Sequence, residues 1–159
     1  MSGKSTLRLE KFDESHLSAL LLIEPTVNTA PWSERAFRNE LNHSNGIFRV
    51  AIQDGEVVGY GGVWLVIDEA HITTVAVKPE AQRQGIGRRL VIELLSAARE
   101  QGMLCSTLEV RAGNEVAIRL YERLGFQHAA VRRKYYPDNQ EDAVVMWLYD
   151  LKSWEPPYP

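Results

Sequence analysis

Val75-Ala-Val-Lys-Pro-Glu-Ala-Gln-Arg-Gln-Gly-Ile-Gly-Arg-Arg-Leu90 carries an extended apolar run through the hexapeptide Gln82-Arg-Gln-Gly-Ile-Gly87 and straight into an amphipathic helix. That order makes an anion cradle. Gly85 and Gly87 let backbone approach a ligand closely, the new helix leaves its first N–H groups unpaired, and its dipole favours negative charge there. Arg83, Arg88 and Arg89 add fixed positive charge. Two familiar phosphate loops fail on spacing: a P-loop ends in Gly-Lys-Ser/Thr where Arg88-Arg89 follow Gly87, and a dinucleotide fingerprint needs a third glycine where Leu90 stands. Taken alone, the hexapeptide also fits a glycine-rich turn that binds nothing.

Downstream, Leu90, Val91, Leu94, Leu95 and Ala98 form one broad helical stripe, and Gly102 is placed to end it. Leu104–Val110 reads as a strand, and Asn114 as the cap of a helix whose Ala117, Leu120, Tyr121 and Leu124 share a face until Gly125. Phe126–Tyr135 and Asp142–Leu148 make a last strand pair around the turn-rich Tyr136-Pro-Asp-Asn139, and the tail from Trp154 is expected to be extended and loosely held, within 152–159. Upstream, Ala70–Val77 is apolar or β-branched, as expected of a strand buried on both faces. Ile47–Gln53 and Glu56–Val66 join across Asp54-Gly55, a positive-φ hairpin dipeptide, with Gly59, Gly61 and Gly62 marking a bulge or close approach. Before them come a short strand around Leu7 and Leu9, then a helix over Glu14–Glu24 capped by Asp13 and stopped by Pro25. That helix has Leu17, Leu20 and Leu21 on one face, with Glu24 within reach of it. Ser33 caps a second helix, Glu34–Leu41, with Trp32 and Phe37 spaced as a hydrophobic staple. The order predicts an α+β domain on one mixed sheet.

The 159 residues suit a single domain over 1–159, without repeat or linker, and 45% hydrophobic with 25% charged residues is ordinary globular composition. A formal net charge of −3 gives no global attraction to nucleic acid or an anionic membrane, and Arg132-Arg-Lys134 is too short a basic run to supply a local one. One cysteine, Cys105, excludes an intramolecular disulfide and a cysteine-based metal cluster, fits a reducing compartment, and is expected to be a buried small apolar residue. No His/Asp/Glu spacing suggests a metal site. The charged N-terminus lacks a signal-peptide core, and Ala19–Ile23 is far too short to span a bilayer, so a cytoplasmic location is expected. Oligomeric state leaves no mark in the sequence.

Gln82–Gly87, set between a strand and a helix, resembles the acetyl-CoA pyrophosphate loop of the GNAT acetyltransferase superfamily, and the order of elements resembles the GNAT fold over nearly the whole chain. The resemblance sharpens at Leu108-Glu-Val-Arg111 with Asn114, at Leu120-Tyr-Glu-Arg-Leu-Gly-Phe126, and at Arg133-Lys-Tyr-Tyr-Pro137 followed by Glu141-Asp142-Ala143. Together with Ala30-Pro-Trp32 these are similar to the RimI-type protein N-terminal acetyltransferases, which acetylate the terminal alanine of ribosomal protein bS18. The resemblance implies a GNAT fold: a single mixed, mostly antiparallel twisted sheet with splayed central parallel strands and helices on both faces. The acyl-CoA and the acceptor amine would meet in that wedge from opposite sides. It also implies acetyl-CoA as co-substrate, no metal, and a protein N-terminus as partner. The backbone of Val75, Ala76 and Val77 would take the pantetheine arm as an added strand does. Arg83, Gln84, Gly85, Ile86, Gly87 and Arg88 would hold the pyrophosphate. Asn114 would touch CoA, although capping alone explains an Asn there.

Chemistry supplies its own reasons for the residue types. An α-amine with a pKa near 8 is roughly a tenth free base at pH 7, against less than about a thousandth for lysine, so a carboxylate suffices as base. Glu109 is the candidate to take the proton through a water; its other reading is a surface carboxylate paired with Arg111. Tyr121 faces the sheet, where it serves either as proton donor to the CoA sulfur or as a core tyrosine; the family position favours the donor. Pro31, Trp32, Tyr135 and Tyr136 read equally as lips of an acceptor groove or as packing lids. His71 either holds a water or is structural. A broader range of protein N-termini, a lysine or a small amine as acceptor, and a CoA-binding regulator without catalysis, remain as rivals.

Overall fold

The structure, a computed structural model, describes residues 6–157. The strands are β1 (Leu7–Lys11), β2 (Gly46–Gln53), β3 (Glu56–Val66), β4 (Glu69–Val77), β5 (Cys105–Arg111), β6 (Gln127–Arg132) and β7 (Ala143–Leu148). The helices are α1 (Leu17–Val27), α2 (Glu34–Leu41), α3 (Ile86–Glu100) and α4 (Glu115–Arg123). Asp54 and Gly55 take φ of 53° and 83°, the left-handed pair that a tight hairpin turn between β2 and β3 requires. The sheet runs β1-β2-β3-β4-β5-β7-β6. β1/β2, β5/β7 and β6/β7 are antiparallel, while β4 and β5 are parallel through Glu69↔Cys105, Ala70↔Ser106 and His71↔Thr107. Three pairs are few for strands of nine and seven residues, as the expected splay requires. The fold is the α+β arrangement expected.

The described residues divide into two compact units, one of 6–63 and 74–94, the other of 64–73 and 95–157. Each boundary falls inside an element (β3, β4 or α3), not in a linker. The first unit is built on Phe12, Leu20, Phe37, Phe48, Val50 and Tyr60, with Phe37 meeting Tyr60 edge-on at 5.7 Å between ring centres. A second cluster of Ala51, Val58, Ala81, Ile86 and Leu90 buries the start of α3. Burying a side chain such as Leu90 completely contributes about 1.5–3 kcal/mol relative to leaving it exposed. The second unit buries Leu108, Val110, Leu124, Phe126, Met146, Leu148 and Leu151.

Several expectations change in the structure. Asp13 caps a single 3-10 turn, Glu14–His16, and α1 follows from Leu17. Pro25 does not stop α1, which runs on to Val27 with the Asn28 N–H closing on Glu24 O at 3.0 Å. A proline this close to the end sacrifices one bond of the last turn, not a run of them. Ile23, not Leu21, joins Leu17, Leu20 and Glu24 in the buried set. β4 is not buried on both faces: Ala70, Ile72 and Ala76 are buried, whereas His71, Thr73, Val75 and Val77 are part-exposed. β-Branched composition marks a strand without saying how many of its faces are covered. Trp154, expected in a loose tail, is buried: its indole N–H donates to Leu124 O at 2.7 Å and Arg99 donates to its carbonyl. Residues 158–159 of that tail lie outside the described residues.

Candidate active site

In the first unit the cradle has the local form its sequence predicts. Pro79–Ala81 makes a 3-10 turn, Arg83 and Gly85 take φ of 65° and 79°, and α3 starts at Ile86. The first i→i−4 bond of the helix runs from Arg89 N–H to Gly85 O at 3.1 Å, so the amides of Ile86 and Gly87 precede the ladder. Residues 82–85 are exposed, and a Cβ built on Gly85 meets nothing within 4 Å. The loop is therefore open to a ligand. Upstream, the Val77 carbonyl accepts from Gln82 Nε2 at 2.9 Å, which fastens the loop back onto β4. A Cβ on Gly59 would lie 2.7 Å from Ala76 O, so close approach, not a bulge, explains that glycine.

The same unit holds the Ala30-Pro31-Trp32 loop through a buried carboxylate. Glu24, 1% exposed, accepts from Tyr60 Oη at 2.5 Å, from the Trp32 amide at 2.9 Å and from Asn28 Nδ2 at 3.0 Å. Burial first, then the bond to Glu24, pushes the Tyr60 phenol far above its ordinary value. Trp32 packs on Phe37 with ring centres 5.3 Å apart, as the staple spacing predicts, and Pro31 is exposed.

In the second unit, Glu109 is an exposed position on β5, in register with Val145 of β7. Its partner is not Arg111. The Tyr135 hydroxyl donates to the Glu109 carboxylate, which together with burial raises the Tyr135 phenol, and Arg132 Nε lies 3.7 Å from Glu109 Oε1. Arg111, two residues on and so on the same face of β5, is occupied elsewhere. It forks onto Asp138 (3.1 and 3.0 Å), reaches Asn139 Oδ1 at 3.2 Å and Glu141 Oε1 at 3.3 Å, and stacks 4.0 Å from the Tyr136 ring centre. Glu141 Oε2 accepts from the Gly113 amide at 2.8 Å; that bond first, then Asn139 and Arg111, hold the Glu141 carboxyl below its usual range. Tyr135 and Tyr136 meet edge-on at 5.1 Å.

Tyr121 is buried on α4 against Phe126, with ring centres 5.6 Å apart. Burial pushes its phenol well above the ordinary value, so the group stays neutral to higher pH than a free tyrosine does. Asn114 caps α4 through Oδ1, which accepts from Ala117 N–H at 3.1 Å; a cofactor contact would fall to Nδ2. His71 Nε2 pairs with Glu69 Oε1 at 2.8 Å, which fits its structural reading. Cys105 is half-buried instead of buried, and burial and the nearby Glu69 and Asp68 raise its thiol. Asp68, Glu69 and Cys105 each place a possible ligand atom within 4.8 Å of the others, a grouping that linear spacing did not show.

Sequence reading missed the Arg111 contacts and the bonds Glu24 accepts. The available signals were a carboxylate placed beside an apolar helix face, and two acids and an Asn in the turn Tyr136–Glu141 with an arginine at the end of β5, 27 residues before Asp138.

Residues 15–126 match the Acetyltransferase (GNAT) family. The chain is 38% identical over 142 residues to the [ribosomal protein bS18]-alanine N-acetyltransferase of Escherichia coli, covering 88% of this chain and 95% of that protein. The crystal structure of the ribosomal-protein-S18-alanine N-acetyltransferase from Escherichia coli matches with a TM-score of 0.85 and 35% identity, over 97% of this chain and 100% of that one. NAA60 of Arabidopsis thaliana, solved in complex with acetyl-CoA, shares the fold at a TM-score of 0.82 and 20% identity, over 91% and 99% of the two chains.

Proposed function

The chain belongs to the GNAT acetyltransferase family, and from that membership we propose that it moves the acetyl group of acetyl-CoA directly onto the α-amine of an N-terminal alanine in a ribosomal protein of the bS18 kind. The observation that carries the acceptor is the 38% identity to the Escherichia coli enzyme along nearly the full length of both chains. The chain acts as one catalytic domain and works in the cytoplasm. Its single cysteine fits a reducing compartment, and no described helix is long and apolar enough to cross a membrane.

The open, positively charged loop Arg83–Arg88 at the start of α3 suits the pyrophosphate of acetyl-CoA, and Val75–Val77 with Asn114 the rest of the cofactor. In the transfer, the neutral amine forms a C–N bond to the thioester carbonyl carbon and the C–S bond breaks. Glu109 takes the proton the nitrogen loses, through a water, and releases it to solvent. Tyr121, protonated at neutral pH as tyrosines are, donates to the departing sulfur and regains its proton from solvent. Pro31, Trp32, Tyr135 and Tyr136 receive the acceptor peptide. No acetyl-enzyme forms, because no activated nucleophile is involved.

A peptide panel tests the reading: an alanine-starting peptide with the bS18 N-terminal sequence, serine- and methionine-starting variants, and an N-blocked peptide with an internal lysine. The alanine peptide is expected to be acetylated at its terminus, and activity on the blocked peptide alone would overturn the acceptor assignment. Glu109→Gln is expected to lower kcat/KM by about 10²–10⁴-fold, and Tyr121→Phe to lower kcat, both with acetyl-CoA affinity retained. Unchanged kcat/KM in both variants would remove them from the mechanism.

A further inference from the structure

Glu109 and Arg111 lie two residues apart on one strand, and each engages one of two adjacent tyrosines of the same loop. Glu109 accepts from the Tyr135 hydroxyl, and the Arg111 guanidinium covers the Tyr136 ring at 4.0 Å. Arg111 Nη1 reaches Asp138, Asn139 and Glu141 and Nη2 reaches Asp138, in a fork that also stacks, a combination lysine cannot reproduce. Glu141 bridges onward to the Gly113 amide, and a Cβ on Gly113 would lie 2.8 Å from that carboxylate oxygen, so a side chain there would displace the end of Glu141. The ends of the loop are tied down as well: Lys134 N–H donates to Asp142 Oδ1 at 2.9 Å and Ala112 N–H to Asp142 O at 2.9 Å. Lys134 and Gln140 hold φ of 51° and 59°, a left-handed backbone that a side chain adopts only where surroundings impose it. So many charged contacts on a solvent-facing turn add little to stability one by one, yet together they set one position for the loop.

We infer that Arg111 is a positioning residue for the acceptor: by fastening residues 136–141 to β5 beside Glu109, it sets where Tyr135 and Tyr136 meet the incoming peptide. The inference rests on the acceptor reading above for the identity of the substrate, but not for the fastening itself.

Two readouts separate these. In the substrate-free protein, Arg111→Met is expected to speed amide hydrogen exchange over residues 135–142 at least tenfold, with α3 unchanged. In kinetics, the same variant is expected to raise KM for the peptide acceptor tenfold or more while KM for acetyl-CoA stays within about twofold. Arg111→Lys should recover only a small part of that loss. Asp138→Asn combined with Glu141→Gln, made from the acidic side of the contact, should reproduce the peptide KM, and adding Arg111→Met to it should cost little more. If Arg111→Met does not fold, the Asp138/Glu141 pair decides on the same criteria. Unchanged exchange and unchanged acceptor KM would overturn the inference, as would an equal rise in both KM values. If the folded wild-type acetylates only a lysine peptide, the acceptor reading fails, and the KM shift measured on that peptide still decides the role of Arg111.

Discussion

A buried carboxylate is costly unless its lone pairs are filled, and Glu24 shows how this chain fills them. Three donors reach it: the phenol of Tyr60, the amide of Trp32 and the side-chain amide of Asn28. Position 24 was legible as a carboxylate beside the apolar face of α1, but its main partner lies 36 residues away and leaves no trace in the local pattern. Tyr60→Phe leaves the carboxylate buried with one donor fewer. It is expected to lower unfolding free energy by about 1.5–3 kcal/mol in urea, since hydrogen bonds to charged groups are the stronger class. A change below about 0.5 kcal/mol would mean that water replaces the phenol. Glu109 makes the complementary point. Its residue type and strand were readable, while its partners proved to be Tyr135 and Arg132, with Arg111 turned to other work.

From β3 to α3, elements rather than single residues decide what a substitution does. Gly59 and Gly85 look alike in the sequence, one in a strand and one in a loop. In the structure a Cβ at position 59 collides with a backbone carbonyl, whereas at position 85 the space is open and only the φ of 79° opposes a side chain. Gly85→Ala is therefore expected to leave the fold intact, at a strain of about 1–2 kcal/mol confined to the loop. Its KM for acetyl-CoA should rise severalfold, with the acceptor KM unchanged. Gly59→Ala should lower the melting temperature instead, because β3 and β4 must separate to admit it. Thermal denaturation and initial-rate kinetics on the two variants distinguish a ligand-binding glycine from a packing one. The amphipathic stripe of α3 was fully legible, since Leu90, Val91, Leu94, Leu95 and Ala98 are all 0% exposed. The single-faced burial of β4 was not, because a strand's own residues do not record what covers each side.

Across the molecule, two buried tyrosines are expected to make stability fall in alkaline solution. Tyr60 and Tyr121 are both raised, chiefly by burial, so the folded protein holds their protons more tightly than the unfolded chain does. Between the unfolded value near 10 and the folded values the native state binds more protons, so stability falls as pH rises. The expected outcome is full stability below about pH 10 and progressive loss above it. Replacing both tyrosines by Phe should flatten that loss, even though the bond to Glu24 is given up. Urea midpoints at pH 8, 10 and 11, beside ultraviolet titration of the phenols, check this; a midpoint independent of pH over that range would contradict it. Trp154 works at the same scale, as the chain returns after β7 to bury an indole whose N–H finds Leu124 O, 30 residues earlier. Composition near the end, rich in proline, argued for looseness and said nothing of that pocket.

By itself the sequence determined the elements and their order, the cradle at Gln82–Gly87, and the family to which the chain belongs. Those features depend on helical period, caps, left-handed turn positions and motif spacing, all written within a few residues of one another. Tertiary structure alone decided that α1 passes Pro25, that Trp154 is anchored, that Glu24 is held by Tyr60, and that Arg111 serves the Tyr136–Glu141 loop instead of Glu109. Each of these pairs a residue with partners supplied by another element, or weighs one lost hydrogen bond against packing, and such choices are made by sheet register and burial, which no local stretch of chain encodes.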